Sequence, residues 1–228
     1  MSHTHAIILL IIAGVEIALA MYTLLGDIKS QVRRWYAMFA LSVAIWVGSL
    51  GLDILVSAKK AVIIIGYFPW IGGVLIVTTL LFLVWIWPYK SQPIKLWNWV
   101  VIILPIIVFT FLILSPYAPV VEKTQMTAWR SNEQGPSYGL YNTLIFGYLL
   151  WAVVSLYRKF RESDGIYRWQ LKYFMVSVIL AGGIIVVTNI IIPWLGYSEW
   201  EIFESAFGPE VSILWVGFST YIHLKKHT

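Results

Sequence analysis

Residues 6–26 read AIILLIIAGVEIALAMYTLLG, an apolar run that contains one ionisable side chain, Glu16. A helix needs about 20 apolar residues to cross the hydrocarbon core of a bilayer. A removable signal peptide is the alternative, since residues 18–20, ALA, resemble a cleavage site. However, the run exceeds the roughly 7–15 residues of a signal-peptide core, and the preceding MSHTH has no Lys or Arg. We therefore interpret this stretch as a first membrane span.

Similar runs recur along the whole chain. Of the 228 residues, 60% are hydrophobic and 12% are charged, whereas soluble domains have about 45–50% and about 25%. Apolar runs bounded by charge, Pro or Gly predict seven spans, at about 6–26, 36–57, 61–87, 96–114, 138–157, 169–192 and 206–223. We expect an all-α membrane protein, in which residues 1–228 form one seven-helix transmembrane bundle. No space is left within them for a separate soluble domain.

The basic residues predict the orientation of the bundle. Counting Lys and Arg in the connections and termini, eleven lie on the side of the C-terminus and four on the opposite side. Because Lys and Arg are enriched in cytoplasmic loops, we expect the N-terminus outside and the C-terminus in the cytoplasm. The one long connection, residues 115–137, then lies outside. It is either a lid over an outer opening or an ordinary surface loop.

Glu16 lies near the middle of the first predicted span. An acidic side chain at that depth costs about 2.5–3.5 kcal/mol, so it needs a partner, a proton or a cavity. Ala13 and Ala20 share its helix face and would let a neighbouring helix approach closely. We expect a buried acid that faces the bundle interior and hydrogen-bonds hydroxyl or backbone groups. Its role is either structural, joining helices, or one in sensing or proton handling.

A second group of polar and aromatic residues falls in the predicted outer halves of the spans. Its members are Asp53, Tyr67, Trp70, Asn142, Asn189 and Glu210. Pro69 and Pro209 lie in the same halves and free backbone carbonyls that neighbours or water must satisfy. This pattern predicts a ligand-binding pocket among the helices that opens outward. The alternative is that Asp53 and Glu210 are solvated at the membrane interface.

Several classes of function are excluded by what the sequence lacks. A retinal protein needs a Lys in its last span, and none lies between Ala206 and His223. The four His lie at or beyond the membrane edges and no Cys is present, so no metal or haem site is predicted. Neither a GxSxG motif nor a nucleotide-binding loop occurs. We expect no catalytic residues, no metal, no cofactor and no nucleic-acid partner; the basic turn RKFRESDGIYR, residues 158–168, fits contact with membrane lipids.

Four segments of the chain, in order, resemble a known family. They are FALSVAIWVGSLGLDIL (39–55), WRSNEQGPSYGLYNTL (129–144), the sixth span from YRWQLKYFMVSVILAGG to NIIIPWLG (167–196) and FGPEVSILWVGFSTYIHLKKH (207–227). These segments are similar to the seven-transmembrane N-terminal sensor region of bacterial histidine kinases. The shared elements, in order along the chain, are Trp-x-Gly, Gly-Pro-aromatic, basic-x-Gln-x-x-Tyr, Asn-to-Pro and Gly-Pro. The resemblance covers most of the chain.

This resemblance implies a signal-sensing input module in the bacterial inner membrane, which passes a conformational change through its last helix. The implied partners are a small or membrane-borne ligand, a cytoplasmic kinase module or separate effector, and a second copy in a homodimer. No phosphoacceptor helix or ATP-binding domain occurs in residues 1–228, so we expect no enzymatic activity from them. Two alternatives stay open, a small proton-coupled transporter that uses Glu16 and a structural partner subunit.

Overall fold

Helices make up nearly all of the described structure. The computed structural model describes residues 3–56, 58–88, 95–115, 120–123, 131–134 and 137–187, and single positions at 191, 212, 216 and 217. Its elements are α1 (His3–Gly26), α2 (Gln31–Leu55), α3 (Lys59–Ile86), α4 (Leu96–Ile113), β1 (Val120–Lys123), β2 (Ser131–Gln134), α5 (Tyr138–Glu162) and α6 (Gly165–Val186).

Five of these helices are long and apolar enough to cross a membrane, namely α1 to α5. The helix α6 follows α5 directly, and Ser212, Val216 and Gly217 in the seventh predicted span are also helical. The chain is therefore a helical membrane bundle, as its composition predicted. The count of seven spans and the orientation of the termini stay predictions, so we use "outer end" for the predicted outer side.

Short polar turns separate α1 from α2 and α5 from α6. Between α1 and α2, the Ser30 amide donates to the Asp27 carbonyl, and the Ser30 hydroxyl accepts from the Arg33 amide. This serine satisfies one of the amides that a helix start leaves without an intrahelical partner. Between α5 and α6, Gly165 has a φ of +59°, a backbone conformation that glycine adopts without steric cost. Both turns keep antiparallel neighbours adjacent.

The centre of the bundle is α3. It packs against α2, α4 and α5, and 67% of its membrane window is buried, compared with 22–44% in the other four spans. Near its inner end, Phe82 is completely buried and stacks on Trp35 of α2, with ring centroids 3.9 Å apart. Trp99 of α4 lies 5.1 Å from the same ring. A helix that is apolar all round and contacted on several sides is expected at the core of such a bundle.

The long outer connection contains the only strands among the described residues. β1 and β2 pair antiparallel, with Val120 opposite Gln134 and Lys123 opposite Ser131. The all-α prediction therefore describes the spans, and this connection adds a two-stranded hairpin. Pairing satisfies backbone amides and carbonyls that a loop would otherwise leave to water.

Glycines permit the closest helix approaches. A Cβ atom built on Gly72 of α3 would lie 3.0 Å from the backbone and Cβ of Trp46 in α2. A Cβ on Gly51 of α2 would lie 3.1 Å from the carbonyl of Ala6 in α1. Such small residues let helix backbones pack closely in membranes, where van der Waals contact is a main source of association. Gly183 differs, because no atom of the described residues lies within 4 Å of its built Cβ.

We predict opposite outcomes for alanine at two helical glycines. Gly72→Ala must push α3 away from α2, and we expect it to lower the free energy of unfolding by about 1–3 kcal/mol. Gly183→Ala meets open space and should leave stability unchanged or raise it by up to about 1 kcal/mol. Thermal unfolding in detergent measures both variants. Equal stability of the two variants would contradict the close α2–α3 crossing.

Candidate functional site

At the outer end, α3 and α5 are joined through Trp70 and Tyr141. The Tyr141 hydroxyl donates to the Trp70 carbonyl over 3.1 Å, and the two rings meet edge to face with centroids 5.0 Å apart. Gly73 makes this contact geometrically allowed, since a Cβ built on it would lie 2.1 Å from the Tyr141 hydroxyl oxygen. Tyr138 and Phe109 add further ring contacts at 6.3 and 5.7 Å. The result is an aromatic cluster shared by three helices.

The structure brings together two of the six predicted pocket residues. Tyr67 and Trp70 both pack on the apolar cluster that includes Tyr141. Asp53 is partly buried close to the end of α2, and Asn142 is partly buried near the start of α5. Asn189 and Glu210 lie outside the described residues. A common pocket for all six residues therefore stays a prediction.

Helix α5 also donates a side-chain hydrogen bond to a backbone carbonyl of α4. Pro105 lies inside α4, so the Val101 carbonyl four residues earlier has no helical amide to accept from. The hydroxyl of Tyr148 on α5 donates a hydrogen bond to this carbonyl. An unsatisfied carbonyl would cost several kcal/mol in lipid, so this contact fixes the side of α4 that faces α5.

Lys159 caps the inner end of α3. Its Nζ donates to the carbonyls of Val84, Trp85 and Trp87 over 2.8, 3.0 and 3.0 Å. The last carbonyls of any helix lack intrahelical donors, and here Pro88 also removes the amide that would have served Val84. An ammonium group has three N–H donors and a charge that suits the negative end of the helix dipole. Lys159, 4% exposed, is thus a structural cap.

Glu16 lies inside the bundle. Its side chain has no exposed surface, and its Oε1 accepts a 2.6 Å hydrogen bond from the Ser212 hydroxyl in the seventh predicted span. Its second oxygen, Oε2, has no hydrogen-bond partner within the described ranges. No group of three His, Asp or Glu that could hold a metal ion occurs in the part of the chain that the structure describes. The arrangement joins α1 to the last span through a hydroxyl and a carboxyl.

A second contact holds the same segment one helical turn further along. The hydroxyl of Tyr36 on α2 donates to the backbone carbonyl of Val216. Tyr36 is 2% exposed and Val216 is fully buried, so the bond is shielded from water and lipid. Positions 212 and 216 share a helix face, and this face is therefore turned toward α1 and α2.

Sequence reasoning missed most of the side chains that make these contacts. Lys159 entered only the count of basic residues and the basic turn at 158–168, and the sequence did not indicate that Tyr36 contacts another span. For two of these contacts the sequence does contain a signal. A proline frees the carbonyl four residues before it, so Pro88 and Pro105 predict that the Val84 and Val101 carbonyls need donors from elsewhere. The sequence does not indicate which donor is used. Nothing in the local sequence marked Ser212 as the partner of Glu16.

The architecture defines a class of protein, a helical membrane bundle with polar contacts between its spans. Within this class, residues 8–224 match the family model described as the N-terminal 7TM region of histidine kinase, and the chain belongs to this family. It matches no curated protein and no solved structure. The family assignment confirms the resemblance and supports a membrane sensory input region, whose partner in the natural protein is a cytoplasmic kinase module.

Removing the Lys159 amine tests the cap on α3. Lys159→Met keeps the length of the side chain but leaves three buried carbonyls without its donors, and we expect a loss of about 2–4 kcal/mol of stability. The control is Arg158→Met, because Arg158 is exposed and its replacement should change stability by less than about 0.5 kcal/mol. Thermal unfolding in detergent compares the variants. A stable Lys159→Met protein would show that these hydrogen bonds do not hold α3.

Proposed function

We propose that this chain is a non-catalytic sensor that spans the bacterial inner membrane several times. A small or membrane-borne ligand binds in the outer half, around the six residues predicted from the sequence. The last span carries the resulting change to a cytoplasmic kinase module or a separate effector. The proposal includes an outer N-terminus, a cytoplasmic C-terminus and a homodimeric assembly.

One observation carries this proposal, the attachment of the last predicted span. Among the described residues, the Ser212–Glu16 and Val216–Tyr36 hydrogen bonds hold this span, and both are buried. Hydrogen bonds between membrane helices contribute on average about 0.6 kcal/mol each, up to about 1.7 kcal/mol. Together they are comparable to the few kcal/mol by which a ligand can favour one conformation over another. Such an attachment is strong enough to hold a resting position and weak enough to change.

The aromatic cluster at the outer end supports the placement of the ligand. Trp70 and Tyr141 link α3 to α5, and α3 is the helix that contacts most of the bundle. A ligand that displaces the Trp70 ring would change the packing of the central helix against α4 and α5. This change can reach the last span because α3 packs on α2, which holds Val216 through Tyr36.

A thermal-shift screen tests the ligand site. Lipids, quinones, amino acids and peptides are added to the detergent-purified protein, because selective binding to the native state raises the melting temperature. We expect Trp70→Ala to abolish the shift from a hit, whereas Trp97→Ala, which changes a 68% exposed residue of α4, should keep it.

Two results would contradict this site. One is a hit that Trp70→Ala leaves unchanged, because the ligand would then bind elsewhere. The other is transport of the hit into protein-containing vesicles that stops in Glu16→Gln, because the chain would then be a carrier and not a sensor.

Spin labels test the attachment of the last span. The chain has no Cys, so single cysteines introduced at Ile28 and at position 224 can carry nitroxides without background labelling. We expect Ser212→Ala, which removes the donor to Glu16, to shift or broaden the distance distribution. The control is Ser177→Ala, because in the described part of the chain the Ser177 hydroxyl donates to a carbonyl of its own helix, that of Phe174. An unchanged distribution in Ser212→Ala would contradict the proposed output route.

A further inference from the structure

The turn between α5 and α6 concentrates positive charge at one end of the bundle. Only two residues, 163 and 164, separate the helices, and the flanking helix ends carry four exposed cations: Arg158, Arg161, Arg168 and Lys172. The turn also holds exposed Glu162 and Asp164. In the described part of the chain, neither carboxylate forms an ion pair with any of the four cations.

Aromatic side chains contact both arginines nearest the turn instead. The Arg161 guanidinium lies 3.4 Å from the hydroxyl of Tyr157, and the Arg168 guanidinium lies 5.1 Å from the ring centroid of Phe160 across the turn. Each contact engages only part of the guanidinium group, and because both arginines are exposed, their remaining N–H donors are open to a ligand. These donors match the oxygens of a phosphate, which guanidinium groups bind in a bidentate manner.

The depth of the cations favours a lipid over a protein as the source of that phosphate. Tyr157 and Trp169 are 48% and 39% exposed, and such aromatic rings concentrate at the membrane–water interface. Arg161 lies four residues beyond Tyr157, a rise of about 6 Å along the helix. The headgroup region on each side of a bilayer is about 5–8 Å thick. Arg161, and Arg168 next to Trp169, therefore reach the depth of the lipid phosphates.

We propose that the turn between α5 and α6 binds the headgroup of an anionic phospholipid, with Arg161 and Arg168 as the principal phosphate ligands. The site lies apart from the outer aromatic cluster, and the proposal does not depend on the sensor function. Glu162 and Asp164 lower the local positive potential, so they set an upper limit on the affinity for an anion.

The test measures lipid binding by the intact, lipid-depleted protein in detergent. Dioleoyl phosphatidylglycerol is titrated against dioleoyl phosphatidylcholine, and native mass spectrometry counts the bound lipids. We expect the anionic lipid to bind more tightly, and Arg161→Gln with Arg168→Gln to weaken its binding about tenfold, toward the level of the zwitterionic lipid. Glu162→Gln with Asp164→Asn should strengthen it, which gives a second variant pair with an effect of opposite sign.

The matched control removes two exposed cations from the α1–α2 connection, as Lys29→Gln with Arg34→Gln. It loses the same charge at the same end of the bundle, and phosphatidylglycerol binding should change by less than about twofold. Three results would overturn the proposal: no preference for the anionic lipid, equal weakening in the control, or equally tight binding of inorganic phosphate or an acidic peptide in place of the lipid.

Discussion

Backbone carbonyls without donors are the constraint on which this bundle depends. Lipid offers no hydrogen bonds, so each carbonyl that a proline or a helix end leaves open must find a donor inside the protein. Helix α5 supplies two such donors, Tyr148 in the middle and Lys159 at the inner end, and Tyr141 at its outer end adds a hydrogen bond to the Trp70 carbonyl within α3. Their spacings of seven and eleven residues keep them on one helix face. This row fixes α3 and α4 against α5 along most of their length.

The last predicted span is attached in a different way. It meets α1 and α2 through a carboxyl–hydroxyl pair and a tyrosine–carbonyl bond, both buried. Lys159 and Tyr148 satisfy carbonyls that lack a helical donor because of Pro88 and Pro105, whereas the Ser212 hydroxyl and the Glu16 carboxyl are side-chain groups that can exchange partners. A sensor needs both kinds of contact, a fixed frame and an element whose position changes for a few kcal/mol. This difference between the two kinds of contact is the reason why we propose output through the last span.

The sequence predicts how deep in the membrane a residue lies, but not which neighbour it contacts. The cost of an acid in lipid predicted an interior position for Glu16, and the structure buries it completely. Their depth in the sequence predicted an outer-half position for Tyr67 and Trp70, and both pack on the apolar cluster that includes Tyr141. Depth does not specify the direction in which a side chain points around its helix. Whether Asp53 and Asn142 face that cluster therefore could not be predicted from the sequence.

The sequence by itself determined that the chain lies in a membrane, that its spans are helices and which carbonyls lack a helical donor, but it did not indicate the strands β1 and β2. Long apolar runs require helices in a bilayer, and a proline within a helix or directly after it identifies a carbonyl without a helical donor, since both effects act within a few residues. Only the tertiary structure decided the partners. Tyr148, Lys159 and Ser212 lie 47, 75 and 196 residues from the groups they serve. Helix packing brings such distant residues together, and the rotation of each helix about its axis determines which of its side chains contact a neighbour.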